Sequence, residues 1–304
     1  MDKRRDVYHH YPNERTLRLI WAMRQPANLH RASLLDCNYE HPYPPLGFRP
    51  FRECDLGNGD EYGLYWPIGR EGEEPIVAET QHDGHAMDPA FSCLDRFLQR
   101  ADANGTGRWV GQPAHDEDPD SPAVRVERAR QAAREQAPER AATELRAALL
   151  RLPEYGAASA LLCNQYRRLQ QTSAAIEAAL QSLISPPCFG GADAKVLHWL
   201  ARQDECPPSL ADDPIWEART RLRFRFGGTK TNDDYPILLG AIKDYIARGQ
   251  GMRACTLMQC YAELMWFETV SFRERYGFHA PEFIAWEIET ARQFGLDRAT
   301  VSNA

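Results

Sequence analysis

The residues best suited to chemistry fall in four short runs. His82-Asp83-Gly84-His85-Ala86-Met87-Asp88 gathers imidazoles and carboxylates within one loop-sized stretch, a ligand set that zinc accepts. Its spacing matches no zinc signature, so the run is read as a solvated loop and no metal is assigned. Phe226-Gly227-Gly228-Thr229-Lys230-Thr231 has the residue types of a phosphate loop. That loop needs a glycine directly before its lysine and a strand leading in. Thr229 stands there instead, so the run is read as a turn. Arg219, Arg221, Arg223 and Arg225 alternate with other residues. In a strand they present four guanidinium groups on one face, suited to phosphate or an acidic protein. In a helix they spread over a solvated surface, the reading that the acidic chain favours. The fourth run is acidic: Glu71, Glu73 and Glu74, followed by Asp83 and Asp88. The chain has no GxSxG, HExxH, dinucleotide fingerprint or kinase set. No catalytic residue and no cofactor is assigned.

The charge is distributed unevenly. Of the net −7, residues 1–120 carry 21 acids and 13 bases, whereas residues 121–304 carry 22 acids and 23 bases. An acidic front part repels nucleic acid and anionic membranes and attracts basic proteins. No apolar run is long enough to span a bilayer, and no apolar core follows the basic N-terminus as a signal peptide requires. The eight cysteines form no CxxC pair. Scattered thiols in a chain with a full-sized core fit a reducing compartment. A cytoplasmic protein that touches neither nucleic acid nor membrane is therefore expected.

At 304 residues the chain has room for about two domains, and its composition changes near residue 110. The expected division is an α+β domain over 1–110, an exposed linker over 111–121 and an all-α domain over 122–304. The linker Gly111–Ser121 holds two prolines and four acids. In the first part, Asn13 starts a helix that Pro26 stops, and a proline-rich segment runs to Pro50. The Asn58-Gly59 pair marks a hairpin turn. Tyr62, Leu64, Trp66 and Ile68 alternate as one face of a strand, and the charged turn Arg70–Glu74 leads to a second strand, Pro75–Thr80. Ala90–Ala101 then forms a helix with Phe91, Leu94, Phe97 and Leu98 on one face.

The second part is helical and repeats internally. Pro153 and Pro187 lie 34 residues apart, as do Ala141 and Ala175, Ala129 and Cys163, Ala132 and Tyr166, Leu145 and Ala179, and Ala148 and Ser182. Over residues 122–187 this period resembles the tetratricopeptide repeat, a helix–turn–helix unit. Helices follow over 192–203, 235–248, 252–276 and 280–294.

Residues 59–80, GDEYGLYWPIGREGEEPIVAET, with His82-Asp83 and then PAFSCLDRFL at 89–98, resemble the SUKH superfamily of immunity domains found beside bacterial polymorphic toxins. The resemblance covers roughly residues 12–110. It rests on Gly59 and Asp60, the Gly63-Leu64-Tyr65-Trp66-Pro67 block, Pro75-Ile76-Val77, and Phe91, Leu94 and Phe97. It implies a non-catalytic cytoplasmic antitoxin that binds and blocks a cognate toxin from a polymorphic or type VI system. Glu71, Glu73, Glu74, Asp83 and Asp88 are the expected contact residues for a basic toxin. The alternative is a regulatory adaptor whose helical repeats hold a client protein.

Overall fold

The computed structural model describes residues 41–53, 59–81, 83–104, 110–191 and 194–296. The helix expected after Asn13 lies outside them, as do Asn58, His82, Cys37 and Cys54. Four strands form an antiparallel meander: β1 (Phe48–Glu53), β2 (Glu61–Tyr65), β3 (Ile76–Gln81) and β4 (Ala86–Phe91). Helix α1 (Leu94–Asn104) follows.

The inner strands sit where alternation places them. The outer two carry Pro50 and Pro89, which hid them. Proline is tolerated at a sheet edge because a missing N–H breaks no inner ladder there. The ladder also slips, between Pro50 and Arg52 on β1 and opposite β4 between Val77 and Glu79. Phe91 ends β4 rather than belonging to the following helix, against whose Phe97 its ring packs.

Tyr62, Leu64 and Trp66 share a small core with Val77, Phe91 and Phe97 beneath α1. Ile68 leaves that face. The chain departs from the sheet after Tyr65, and Ile68 packs with Cys255 and Ala291 instead. The opposite sheet face, with Phe48, Tyr65, Ile76, Ala78 and Met87, merges with the helical core.

The segment between the two compositions is anchored rather than free, which corrects the expectation of an exposed linker. Gly111 N–H donates to Tyr62 Oη at 3.2 Å. Asp118, 1% exposed, accepts from the Ser92 N–H at 2.6 Å and its hydroxyl at 2.7 Å. Ser121 donates to the Ala90 carbonyl at 2.6 Å. Its hydroxyl also accepts from Val124 N–H, capping the next helix. Only residues 114–117 form a continuous exposed stretch.

Two helical hairpins come next: α2 (Pro122–Arg134) with α3 (Pro138–Arg151), and α4 (Gly156–Arg168) with α5 (Thr172–Ile184). Their turns match bond for bond. Gln136 and Gln170 both adopt left-handed backbone, at φ 57° and 59°. Ala137 N–H reaches Ala132 O and Gln171 N–H reaches Tyr166 O, both at 2.9 Å. Ala141, Ala175, Ala148 and Ser182 are fully buried where the helices touch.

Short helices α6 (Ala194–Leu200) and α7 (Pro214–Ala218) lead to α8 (Asp234–Ala247), α9 (Gly251–Trp266), α10 (Val270–Arg275) and α11 (Ala280–Gln293). Helix α9 is buried on every side, as expected for a helix apolar nearly all round. The single helix expected over 252–276 is broken at Glu268-Thr269. The Glu268 carboxylate accepts from Gly227 N–H at 2.8 Å and Tyr235 Oη at 3.0 Å, while Thr269 caps α10 through Phe272 N–H. Among the described residues, no helix is long and apolar enough to cross a membrane. The whole is an α+β sheet region followed by an all-helical region.

Candidate protein-binding surface

Helix α9 meets the two turns that flank β3. Near its start, a methyl group on Gly69 would collide with Met252 Sδ. At its end, the Phe267 ring lies 4.8 Å from His85. Consecutive turns of a meander fall at opposite sheet ends, so the two acidic runs are separated. At 1.5 Å per helical residue, Met252 and Phe267 stand roughly 22 Å apart.

At the β2–β3 end, Glu71 is not the outward-facing contact expected. It is 8% exposed and accepts the Gly69 N–H at 3.1 Å. The turn folds back so that its carboxylate satisfies a backbone donor that water would otherwise serve. Glu73 accepts two bonds from Arg70, at 2.8 and 2.9 Å, and stays exposed, as does Glu74. Beyond the turn, Met252 is 44% exposed.

At the β3–β4 end, Asp83 is exposed. Asp88 lies in β4 rather than in the loop. It is half-buried and bound by Gln81 Nε2 at 2.7 Å. Burial raises its pKa, and the Gln81 bond opposes that rise. His85 takes left-handed backbone, φ 48°, and its ring also sits edge-on to Tyr43. Beside the loop, Phe267 is 47% and Val270 60% exposed. Both flank the break between α9 and α10. Sequence reading missed them because residues three apart share one face of a continuous helix, and the apolar face expected over 252–276 would have taken both inward. The usable signal was Thr269, a helix-capping residue followed by an apolar turn.

Between the ends, α9 carries Glu263, 1% exposed. Burial pushes its pKa up to about 8. Neither carboxylate oxygen has a partner in hydrogen-bonding geometry. Burial and the neighbouring Glu263 together raise the Cys188 thiol well above its ordinary value. A second buried acid, Glu154, ties the hairpins to the sheet. It accepts Tyr65 Oη at 2.5 Å and Ile68 N–H at 3.0 Å.

Arg219 lies 3.8 Å from the Trp216 ring centroid and donates to Gln203 O. Arg221, Arg223 and Arg225 are exposed on an unpaired loop, so no four-guanidinium strand forms. In the glycine-rich turn, Gly227 gives its N–H to Glu268, which leaves that amide unavailable to a phosphate. Among the described residues, no group of three His, Cys, Asp or Glu is placed to hold a metal ion.

Family models for the YfbP N-terminal domain and the YfbP C-terminal domain match residues 32–107 and 225–302. The first takes in the sheet and the second the four last helices, and the hairpins lie between. An Escherichia coli (strain K12) protein named "Uncharacterized protein YfbP" is 37% identical over 247 residues, which span 80% of this chain and 86% of its own length. No solved structure matches. By that extent of identity, the chain belongs to the YfbP family.

Proposed function

We propose that the chain is a non-catalytic binding protein that holds and neutralises a toxin, an immunity protein of the cytoplasm related to the SUKH superfamily. The observation that carries this reading is the β3–β4 end, where Asp83 is exposed in the loop whose His85 ring meets Phe267, and Phe267 and Val270 are themselves exposed. An apolar centre with charge at its rim is the composition of a protein interface, with an aromatic residue as its energetic anchor. The acidity of residues 1–120 suits a basic toxin, because opposite fields speed encounter. The partner is a protein, and neither nucleic acid nor membrane is involved.

The test is co-expression with the toxin encoded beside the chain's own gene. The wild type is expected to restore growth, and Asp83→Lys with Phe267→Ala to lose protection at an unchanged melting temperature. Full protection by that double variant would overturn the site. Absence of any neighbouring gene product that the chain neutralises would overturn the function. The two matched hairpins favour the second reading, an adaptor whose helical units hold a client. It predicts capture of a host protein that does not affect growth.

A further inference from the structure

A cleft of about 540 Å³ opens at the turn end of the second hairpin, lined by Asn164, Arg167, Arg168, Thr172, Trp199 and Gln203. It lies outside both family-matched stretches and away from the sheet. The Arg167 guanidinium stands 4.9 Å from the Trp199 ring centroid and donates to Asn164 Oδ1 at 3.2 Å. Arg168 reaches Ala133 O at 3.2 Å and Gln165 Oε1 at 3.3 Å through one nitrogen, Nη1. The Gln203 amide is held in place by its bond to Trp199 O at 2.9 Å.

The internal repeat supplies a control for this cleft. Basic residues often end a helix simply to answer its dipole, and Arg134 and Arg168 both end their helices at equivalent positions. In the first hairpin the charges are neutralised locally. Arg134 faces Glu127 at 3.7 Å, and Arg140 pairs with Glu135. In the second hairpin Ala133 becomes Arg167, Glu135 becomes Leu169 and Pro138 becomes Thr172. Glu127 likewise becomes Leu161 and Arg140 becomes Ala174, so both acids of those pairs are lost, one base is gained as another is lost, and a backbone N–H is restored at the first position of α5. That helix start has no side-chain cap. Among the described residues, neither Arg167 nor Arg168 forms an ion pair.

From this contrast we infer that the cleft binds an acidic peptide segment of a partner protein. The two guanidinium forks take its carboxylates in paired hydrogen bonds. Trp199 packs the intervening methylenes, and the Asn164 and Gln203 amides meet the peptide backbone. This site is independent of the acidic sheet ends and takes a partner surface of the opposite charge.

The probe is a short labelled peptide of alternating aspartate and glutamate, titrated into the full chain at low and high salt. Binding that weakens with salt is expected. Arg167→Ala with Arg168→Ala should weaken it at least about tenfold, since losing a charged hydrogen bond is worth that much in affinity. Arg167→Lys with Arg168→Lys, which keeps the charge and removes the forks, should fall between. Circular dichroism should not change, and the melting temperature should fall only slightly, because both side chains are exposed although Arg168 gives up its bond to Ala133 O. Equal binding by the double alanine variant would overturn the site. Inorganic phosphate displacing the peptide at equal concentration would overturn the peptide assignment, as would equal binding of a lysine-rich peptide.

Discussion

The two ends of the sheet put acidic residues to different uses. At the β2–β3 end, Glu71 is drawn under its own turn to serve the Gly69 N–H, and Glu73 is spent on Arg70. At the β3–β4 end, Asp83 is exposed in the loop that meets Phe267 through His85, and Phe267 and Val270 are exposed. The difference lies in the backbone around each acid. A tight turn presents N–H groups within a residue or two, and a carboxylate that satisfies them becomes part of the fold. The β3–β4 loop is joined to α9 by a ring contact between His85 and Phe267, and Asp83 keeps an exposed position in it. Acidic composition alone marks neither end as a contact.

The largest expected effect separates core from contact. Trp66 is 5% exposed, and Trp66→Ala should destabilise by about 3–5 kcal/mol, read by denaturant unfolding. Phe267→Ala should cost far less stability while weakening partner binding. Equal destabilisation by the two would erase the distinction between a structural end and a contact end.

The next effect concerns the helix that connects them. Glu263 sits one turn before Phe267, and its folded pKa is raised from 4.5 to about 8. The folded state therefore holds a proton that the unfolded chain releases. The contribution is fully favourable below pH 4.5 and is lost as pH rises from there through about 8. By pH 7 the loss is on the order of 3 kcal/mol. Glu263→Gln should recover part of it and flatten thermal stability between those limits. An unaltered pH profile in the variant would show that the carboxyl is solvated and ionised at neutral pH.

A smaller effect tests the buried acid of the first turn. Glu71→Lys should cost about 2 kcal/mol by removing a charged acceptor from a backbone donor. Glu73→Lys and Glu74→Lys should each stay within about 0.5 kcal/mol. Chemical melts of the three single variants compare them directly, and a neutral Glu71→Lys would return that residue to the surface.

Much of this architecture was legible in the sequence. Period-two alternation located β2, the charged turn before Pro75 located β3, and the 34-residue spacing of small residues located the hairpins. What escaped had physical causes. Prolines masked β1 and β4, since a pattern reading cannot tell an edge strand from a loop. Ile68 kept the phase of β2 although its backbone had already left the sheet. The break at Thr269 is set by contacts 41 and 33 residues away, Glu268 with Gly227 and Tyr235, and no local window sees them. The acidic runs were visible as composition, whereas the burial of Glu71 and the strand position of Asp88 depend on tertiary structure.

The prolines that concealed the outer strands also govern how other chains can approach. A visiting strand attaches by prolonging a ladder, and for that it needs an unbroken row of donors and acceptors. Both borders of this sheet lack a donor at Pro50 or Pro89 and slip out of step nearby. Copies of the protein are thereby hindered from joining border to border into fibres, even when crowded. Recognition is left to side chains at the tips and on the helices, where a partner must match shape and charge rather than backbone alone.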